Sequence, residues 1–310
     1  MNDHDRPPPS RLLIALAFAA VYILWGSTYL GMRVAVRTLP PFLLASARFF
    51  VAGSVILCWN ALTGGPRPTA LMWKNAARTG AWLLLGGNGG VVWAVQRIPS
   101  GIAAVVVSVL PLWIVLLEWL RGRGRPTGRV AVGVVMGLVG VVLLSRPESS
   151  AAAAGQAAID PIGVGVVVLA SLSWAIGTLD ARRSQVPGAP FLGAGLQMVA
   201  GGSYLLVLGL VTGEPQRLAN SHVSTTSVLA LGFLIVFGSL VAYSAYVWLL
   251  QVVPAARVAT YAYVNPVVAV FLGWAIVDEP LTPRMLIAAA VIIAAVVMVT
   301  AAPPKGTRPR

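Results

Sequence analysis

Ten stretches of about twenty residues are nearly free of charge, and short polar segments separate them. With blurred ends they cover about 12–32, 41–62, 76–95, 101–120, 127–145, 161–180, 190–212, 226–250, 256–277 and 282–301. A helix rises 1.5 Å per residue, so roughly 20 apolar residues cross a hydrocarbon core about 30 Å thick. Strict alternation over about ten residues, the mark of a barrel strand, is absent. The pattern predicts an all-α integral membrane protein with ten transmembrane helices.

The runs are related in pairs. Gln96-Arg97-Ile98-Pro99 leads through an apolar run to Pro111, Trp119, Thr127 and Arg129. Gln251-Val252-Val253-Pro254 leads likewise to Pro266, Trp274, Thr282 and Arg284, with every spacing kept. Upstream, Trp25, Arg33, Arg48 and Gly53 have the same spacing as Trp174, Arg182, Gln197 and Gly202. A fixed internal repeat outweighs any single residue in deciding the fold. The expected plan is a polar, disordered tail at 1–10, a first repeat at 11–148, a linker at 149–159, a second repeat at 160–301 and a basic tail at 302–310. The first apolar run is too long for a signal peptide and is read as a retained helix.

Composition agrees with a membrane chain. It is 58% hydrophobic and 10% charged, where a soluble domain carries about a quarter charged residues. The net charge of +13 could suggest nucleic acid, but the basic residues lie between apolar runs rather than on one polar face. No nucleic-acid partner is expected. Fifteen of the 22 lysines and arginines fall on one side of the alternating runs and six on the other, with Arg48 inside a run. That bias puts both ends in the cytoplasm. Five runs per half is an odd number, so the second half enters from the opposite side. Such inverted repeats mark many secondary transporters, whose site lies near the midplane between the repeats.

Chemistry is sparse. Cys58 is the only cysteine and reads as a small buried hydrophobe. His4 and His222 lie in polar segments. No phosphate-binding glycine loop ending in Lys-Ser or Lys-Thr occurs. Neither a catalytic residue, nor a metal, nor a cofactor is expected. Arg48 stands out, because a cation in mid-helix costs about 2.5–3.5 kcal/mol or more on insertion scales. It either faces the bundle, holding an anion or a partner helix, or snorkels to the interface. Its repeat mate Gln197 is also polar.

Trp25, Thr28 and Tyr29 cluster in run one, with Tyr22 a turn earlier. Ser171, Trp174 and Thr178 do so in run six, Ser239, Tyr243 and Tyr246 in run eight, and Tyr261 and Asn265 in run nine. They line a cavity for a small-molecule substrate, or form an interfacial belt or helix contacts. Asn88 is the polar side chain among the glycines 86–90, which favour close helix approach. Pro111 and Pro266 lie inside the expected helices, where each removes one backbone hydrogen bond, and are hinge candidates or static kinks. Glu118 is a candidate for proton coupling, without being indicated. Gly133 and Gly137 form a lone GxxxG, too little to establish a homo-oligomer.

Three motifs together resemble the drug/metabolite transporter superfamily, and specifically its EamA-repeat inner-membrane exporters. They are Trp25-Gly26-Ser27-Thr28-Tyr29, Pro99-Ser100-Gly101-Ile102-Ala103-Ala104 and Tyr261-Ala262-Tyr263-Val264-Asn265-Pro266. The resemblance spans about 12–300. It implies ten helices in two inverted five-helix repeats, cytosolic termini, and a central cavity worked by alternating access. It also implies export of small metabolites, amino acids or toxic compounds. Asp278-Glu279-Pro280-Leu281-Thr282 fits the family's acidic end to the fourth helix of a repeat, whereas Gly122-Arg123-Gly124-Arg125-Pro126-Thr127 departs from it. A non-transporting assembly or sensor protein and a lipid-modifying enzyme are the alternatives to a secondary transporter.

Overall fold

The computed structural model describes residues 10–122, 128–145, 159–183, 189–253, 258 and 260–300. The terminal tails, nearly all of the expected linker and the turn around Pro254 lie outside them. All regular structure among the described residues is helical. The long helical stretches are α1 (Arg11–Ala35), α2 (Pro41–Leu62), α3 (70–94), α4 (Ser100–Leu120), α5 (Gly128–Ser145), α6 (Pro161–Ala181), α7 (Pro190–Val211), α8 (Thr225–Val252), α9 (Tyr261–Val277) and α10 (Pro283–Thr300). Of these, α1, α2, α4, α6, α7 and α8 are long and apolar enough to cross a membrane by length and composition. Shorter apolar stretches, Val264–Val277 and Pro283–Ala295, lie in α9 and α10. In α3 the apolar character is diluted by Arg78, Asn88 and five glycines.

The helix starts follow local chemistry. Ser10, Thr69, Asp160 and Ser224 each accept a hydrogen bond from an N–H two or three residues on, at 2.9–3.2 Å. Such caps satisfy donors that have no partner inside the helix. Proline opens α2, α6 and α7, where no N–H is needed. The Asp160 carboxyl lies below its ordinary pKa. Partial desolvation pushes it up, but hydrogen bonds from Arg97 and the N–H groups of Ile162 and Gly163 outweigh that.

Several helices are interrupted inside the bundle. Wide π turns occur at Ala20–Leu24 in α1, Ala81–Asn88 in α3 and Leu234–Val241 in α8. The last two sit at nearly matching places in the two repeats. α4 breaks at Ser108 and Val109, then resumes as Leu110–Leu120. Pro111 therefore lies in the first turn of the resumed segment and removes no hydrogen bond from a helix interior, contrary to the expectation. Pro266 is inside α9.

Packing between the halves is closest where α2 crosses α7. Gly53 and Gly202, repeat mates by spacing, face each other's helix backbone. A Cβ on Gly53 would lie 2.8 Å from Gly195 O, and one on Gly202 2.9 Å from Phe50 N. Gly137 of α5 packs on Leu112 of α4, and Gly140 on Ile292 of α10, so Gly137 serves contacts within the chain. The outward faces are apolar, with Leu62, Val207, Leu229, Phe271 and Trp274 exposed. Cys58 is exposed on this belt and not buried as expected. In a bilayer the lipid supplies the apolar surroundings that a core supplies in water, so an apolar residue need not face inward. The helix Glu214–Ala219 is absent from the apolar pattern. Its buried Glu214 accepts the N–H groups of Phe42 (3.1 Å) and Leu43 (2.7 Å) at the start of α2.

Gly202→Leu forces the α2–α7 crossing apart and destabilises by about 1–3 kcal/mol. Gly232→Leu, where a Cβ meets nothing within 4 Å, is the control. Thermal unfolding in detergent should show a lowered midpoint for the first alone; equal midpoints contradict this packing.

Candidate functional site

One cavity brings together nine of the eleven candidate side chains: Trp25, Thr28 and Tyr29 of α1, Arg48 of α2, Asn88 of α3, Trp174 of α6, Tyr243 of α8, and Tyr261 and Asn265 of α9. Met32, Phe49, Gly87, Val91, Val107, Ala170 and Ser171 complete the wall. Of these, Ser171 and, within its glycine run, Gly87 stood out in the sequence. The apolar members carry no signal that separates a cavity wall from ordinary helix packing.

Trp25 is the centre of the aromatic group. Its ring lies 5.6 Å from that of Trp174, its repeat mate, in edge-to-face contact. It also lies 4.9 Å from Tyr246, 5.2 Å from Tyr261 and 6.5 Å from Tyr243. Such edge contacts add roughly 0.5–1.5 kcal/mol per pair and fix ring orientation. The Trp25 indole N–H donates to Gly238 O at 3.1 Å, inside the π turn of α8. A π turn disturbs the regular backbone bonding and so offers a carbonyl to a neighbour. The mate helix α3 does the same, since Trp82 O in its π turn accepts from Ser173 at 2.7 Å. Glycine at 238 leaves room for this contact, since a Cβ there would sit 2.7 Å from Arg48 Nη2 and 2.8 Å from Thr28 Cγ2, and those side chains would have to shift.

Arg48 is 2% exposed and stays inside the bundle rather than snorkelling to an interface. Its Nε donates to Ser239 Oγ at 2.8 Å, and its guanidinium lies 4.7 Å from the Phe49 ring centroid. Its Nη1 is buried without an acceptor. The Asn88 Oδ1 is likewise buried without a donor. The Asn265 amide nitrogen donates to Tyr22 O (3.0 Å) and Tyr261 O (3.2 Å), tying α9 to α1.

Gln197 and Tyr246 do not line the cavity. Gln197 accepts from the Tyr243 hydroxyl at 2.7 Å and holds that ring in place. Tyr246 stands behind Trp25, with its hydroxyl 2.9 Å from Thr178. Tyr22 is turned to Thr260, hydroxyl to hydroxyl at 2.5 Å.

Toward one end of the bundle Glu279 ties the two halves together. Its carboxylate accepts Ser100 N (2.8 Å), Ser100 Oγ (2.9 Å) and Gly101 N (3.2 Å), capping α4 across the seam. Arg33 stands 4.0 Å away and donates to Val95 O. Asp278, in a left-handed conformation (φ 57°), ends α9 and turns Glu279 inward. At the other end Asp180 binds Arg78 at 2.8 Å and Thr79 at 2.6 Å. Beside it a pocket is lined by Glu118, Arg121, Leu179, Arg182 and Arg183.

A helical bundle with an apolar outside and a polar, aromatic centre defines a multi-pass membrane protein. The chain belongs to the EamA-like transporter family, whose signature matches residues 12–146 and again 161–301. It is 38% identical to the inner membrane transporter YedA of Escherichia coli over 268 residues, 86% of this chain and 83% of that one. It is 26% identical to the WAT1-related protein At3g02690 of Arabidopsis thaliana, covering 86% of this chain and 64% of that one. It is also 26% identical to protein PecM of Dickeya dadantii, covering 85% and 84%. A crystal structure with 22% identity superposes at a TM-score of 0.64 over 94% of this chain and 98% of that one, so the fold is shared.

Glu279→Gln removes the charge that holds two N–H groups and a hydroxyl, and lowers stability by about 1–3 kcal/mol. Ser100→Ala removes one hydroxyl and costs about 0.5–1.5 kcal/mol. Unfolding midpoints in detergent check the ranking; no loss in either variant contradicts the cap.

Proposed function

We propose that the chain is a secondary transporter that exports a small metabolite, amino acid or toxic compound by alternating access. Its ten helices form two inverted five-helix repeats, 11–148 and 160–301, in the inner membrane with both termini cytoplasmic. The observation that carries this reading is the make-up of the cavity wall. α1, α2, α3 and α4 of the first half and α6, α8 and α9 of the second all contribute to it. A site at the seam changes its access when the halves rock against each other.

Local features support that motion. α4 breaks at Ser108 and Val109 beside the cavity, and α9 carries Pro266 one residue beyond Asn265. These are points where a helix bends with little loss of bonding. Among the described residues the cavity wall holds no histidine, cysteine or carboxylate, so a bound solute meets no paired nucleophile and base. That favours passage over reaction.

The test has two stages. Growth inhibition by a compound panel, with and without overexpression, identifies an exported compound. Efflux of that compound is then measured for Trp174→Ala and Tyr261→Ala at equal membrane abundance. Both variants should fall to the empty-vector level. Full efflux in both, or no compound whose toxicity or efflux responds to overexpression, overturns the reading.

A further inference from the structure

We propose that the cavity takes a small organic anion: one negative charge on a flat apolar body. This rests on the transport reading and names its substrate class.

Arg48 is the only charged side chain in the cavity wall among the described residues. It is 2% exposed, and no described carboxylate lies within 4.0 Å of it. Ser239 supplies an acceptor to Nε, while Nη1 has none. Burying a cation with an unmet donor is costly, and an anion supplied by a ligand removes that cost. The guanidinium is planar and presents parallel N–H groups, the geometry that a carboxylate accepts in pairs.

The rings of Trp25, Trp174 and Tyr261 provide flat apolar faces around the same space. Aromatic faces also attract cations. Here Arg48 shares the wall with them, and no acidic residue offsets it. A cationic solute would meet repulsion in a low dielectric, so the charge of the wall selects the anion.

The pocket at the ends of α4 and α6 points the same way. Arg121, Arg182 and Arg183 line it against a single acid, Glu118. α4 and α6 also supply Val107, Ser171 and Trp174 to the cavity. From Trp174 to Arg182 is eight residues, about 12 Å along the helix. A basic pocket at that distance raises the local concentration of anions near the cavity.

The test is calorimetric binding to the purified full chain in detergent, using probes that differ only in charge. One set is 3-phenylpropionate, 3-phenylpropionamide and 3-phenylpropylamine; a two-ring set is 2-naphthylacetate with its amide and amine. A carboxylate should bind saturably, with amide and amine weaker by about tenfold or more. Arg48→Gln should abolish that preference, and Arg48→Lys should keep it with weaker binding, since charge stays and the planar fork is lost. Arg48→Lys alone serves if Arg48→Gln does not fold. Amine or amide binding as tightly as carboxylate overturns the class, as does carboxylate binding that survives Arg48→Gln, or no binding by any probe. Efflux separates the two readings. An exported cation or neutral compound removes the anion class and leaves transport standing. Carboxylate preference in binding, with no efflux of any compound, does the reverse.

Discussion

A guanidinium held inside an apolar bundle has to find hydrogen-bond acceptors without water, and the centre of this fold is arranged around that requirement. Arg48 reaches Ser239 on α8, where Gly238 leaves room for the side chain beside it. The same glycine gives its carbonyl to Trp25, which positions the indole against Trp174, Tyr246 and Tyr261. The π turn around Gly238 makes both contacts available from one stretch of α8. Charge, aromatic cluster and helix irregularity are therefore one construction. Their common effect is a cavity whose wall is shared by the two halves.

The same physics governs the seam away from the centre. Glu214, Glu279, Asp180 and Asp160 all belong to the second half, and each meets donors of the first. They bind the start of α2, the start of α4, Arg78 with Thr79, and Arg97 respectively. Two of these contacts satisfy N–H groups at helix starts, where the helix dipole also favours a negative charge. Contacts of this kind lie near the ends of the bundle, whereas the middle is joined by glycine crossings and aromatic rings. The interface is thus tied at its ends by polar bonds and packed at its centre by small residues and rings, the arrangement that the proposed transport cycle calls for.

Much of this was legible in the sequence, for a simple reason. Hydrocarbon imposes long apolar helices, and a repeat imposes matched spacing, so the helices and the Trp25–Trp174 and Gly53–Gly202 pairs stand out as patterns. Arg48 stands out because its placement is expensive. What stayed hidden depends on geometry with no residue signature. A π turn is one extra residue in a helical turn and can be made by Leu, Ile or Val as here. The break at Ser108 lies before Pro111 and not at it, because proline suits a first helical turn. The outward Cys58 differs from a core cysteine only in the angle of its helix face. Gln197 and Tyr246 are polar or aromatic like the wall residues, but their helix faces turn them behind it.

The central claim is that the cavity at the seam is reached from each side of the membrane in turn. Ser171→Cys, made in a Cys58→Ser background, places one thiol on its wall. Membrane-impermeant thiol reagents are then applied to right-side-out cells and to inverted vesicles. The account predicts labelling of this position from both sides, blocked in each case by a transported compound. Labelling from a single side under all conditions would contradict it.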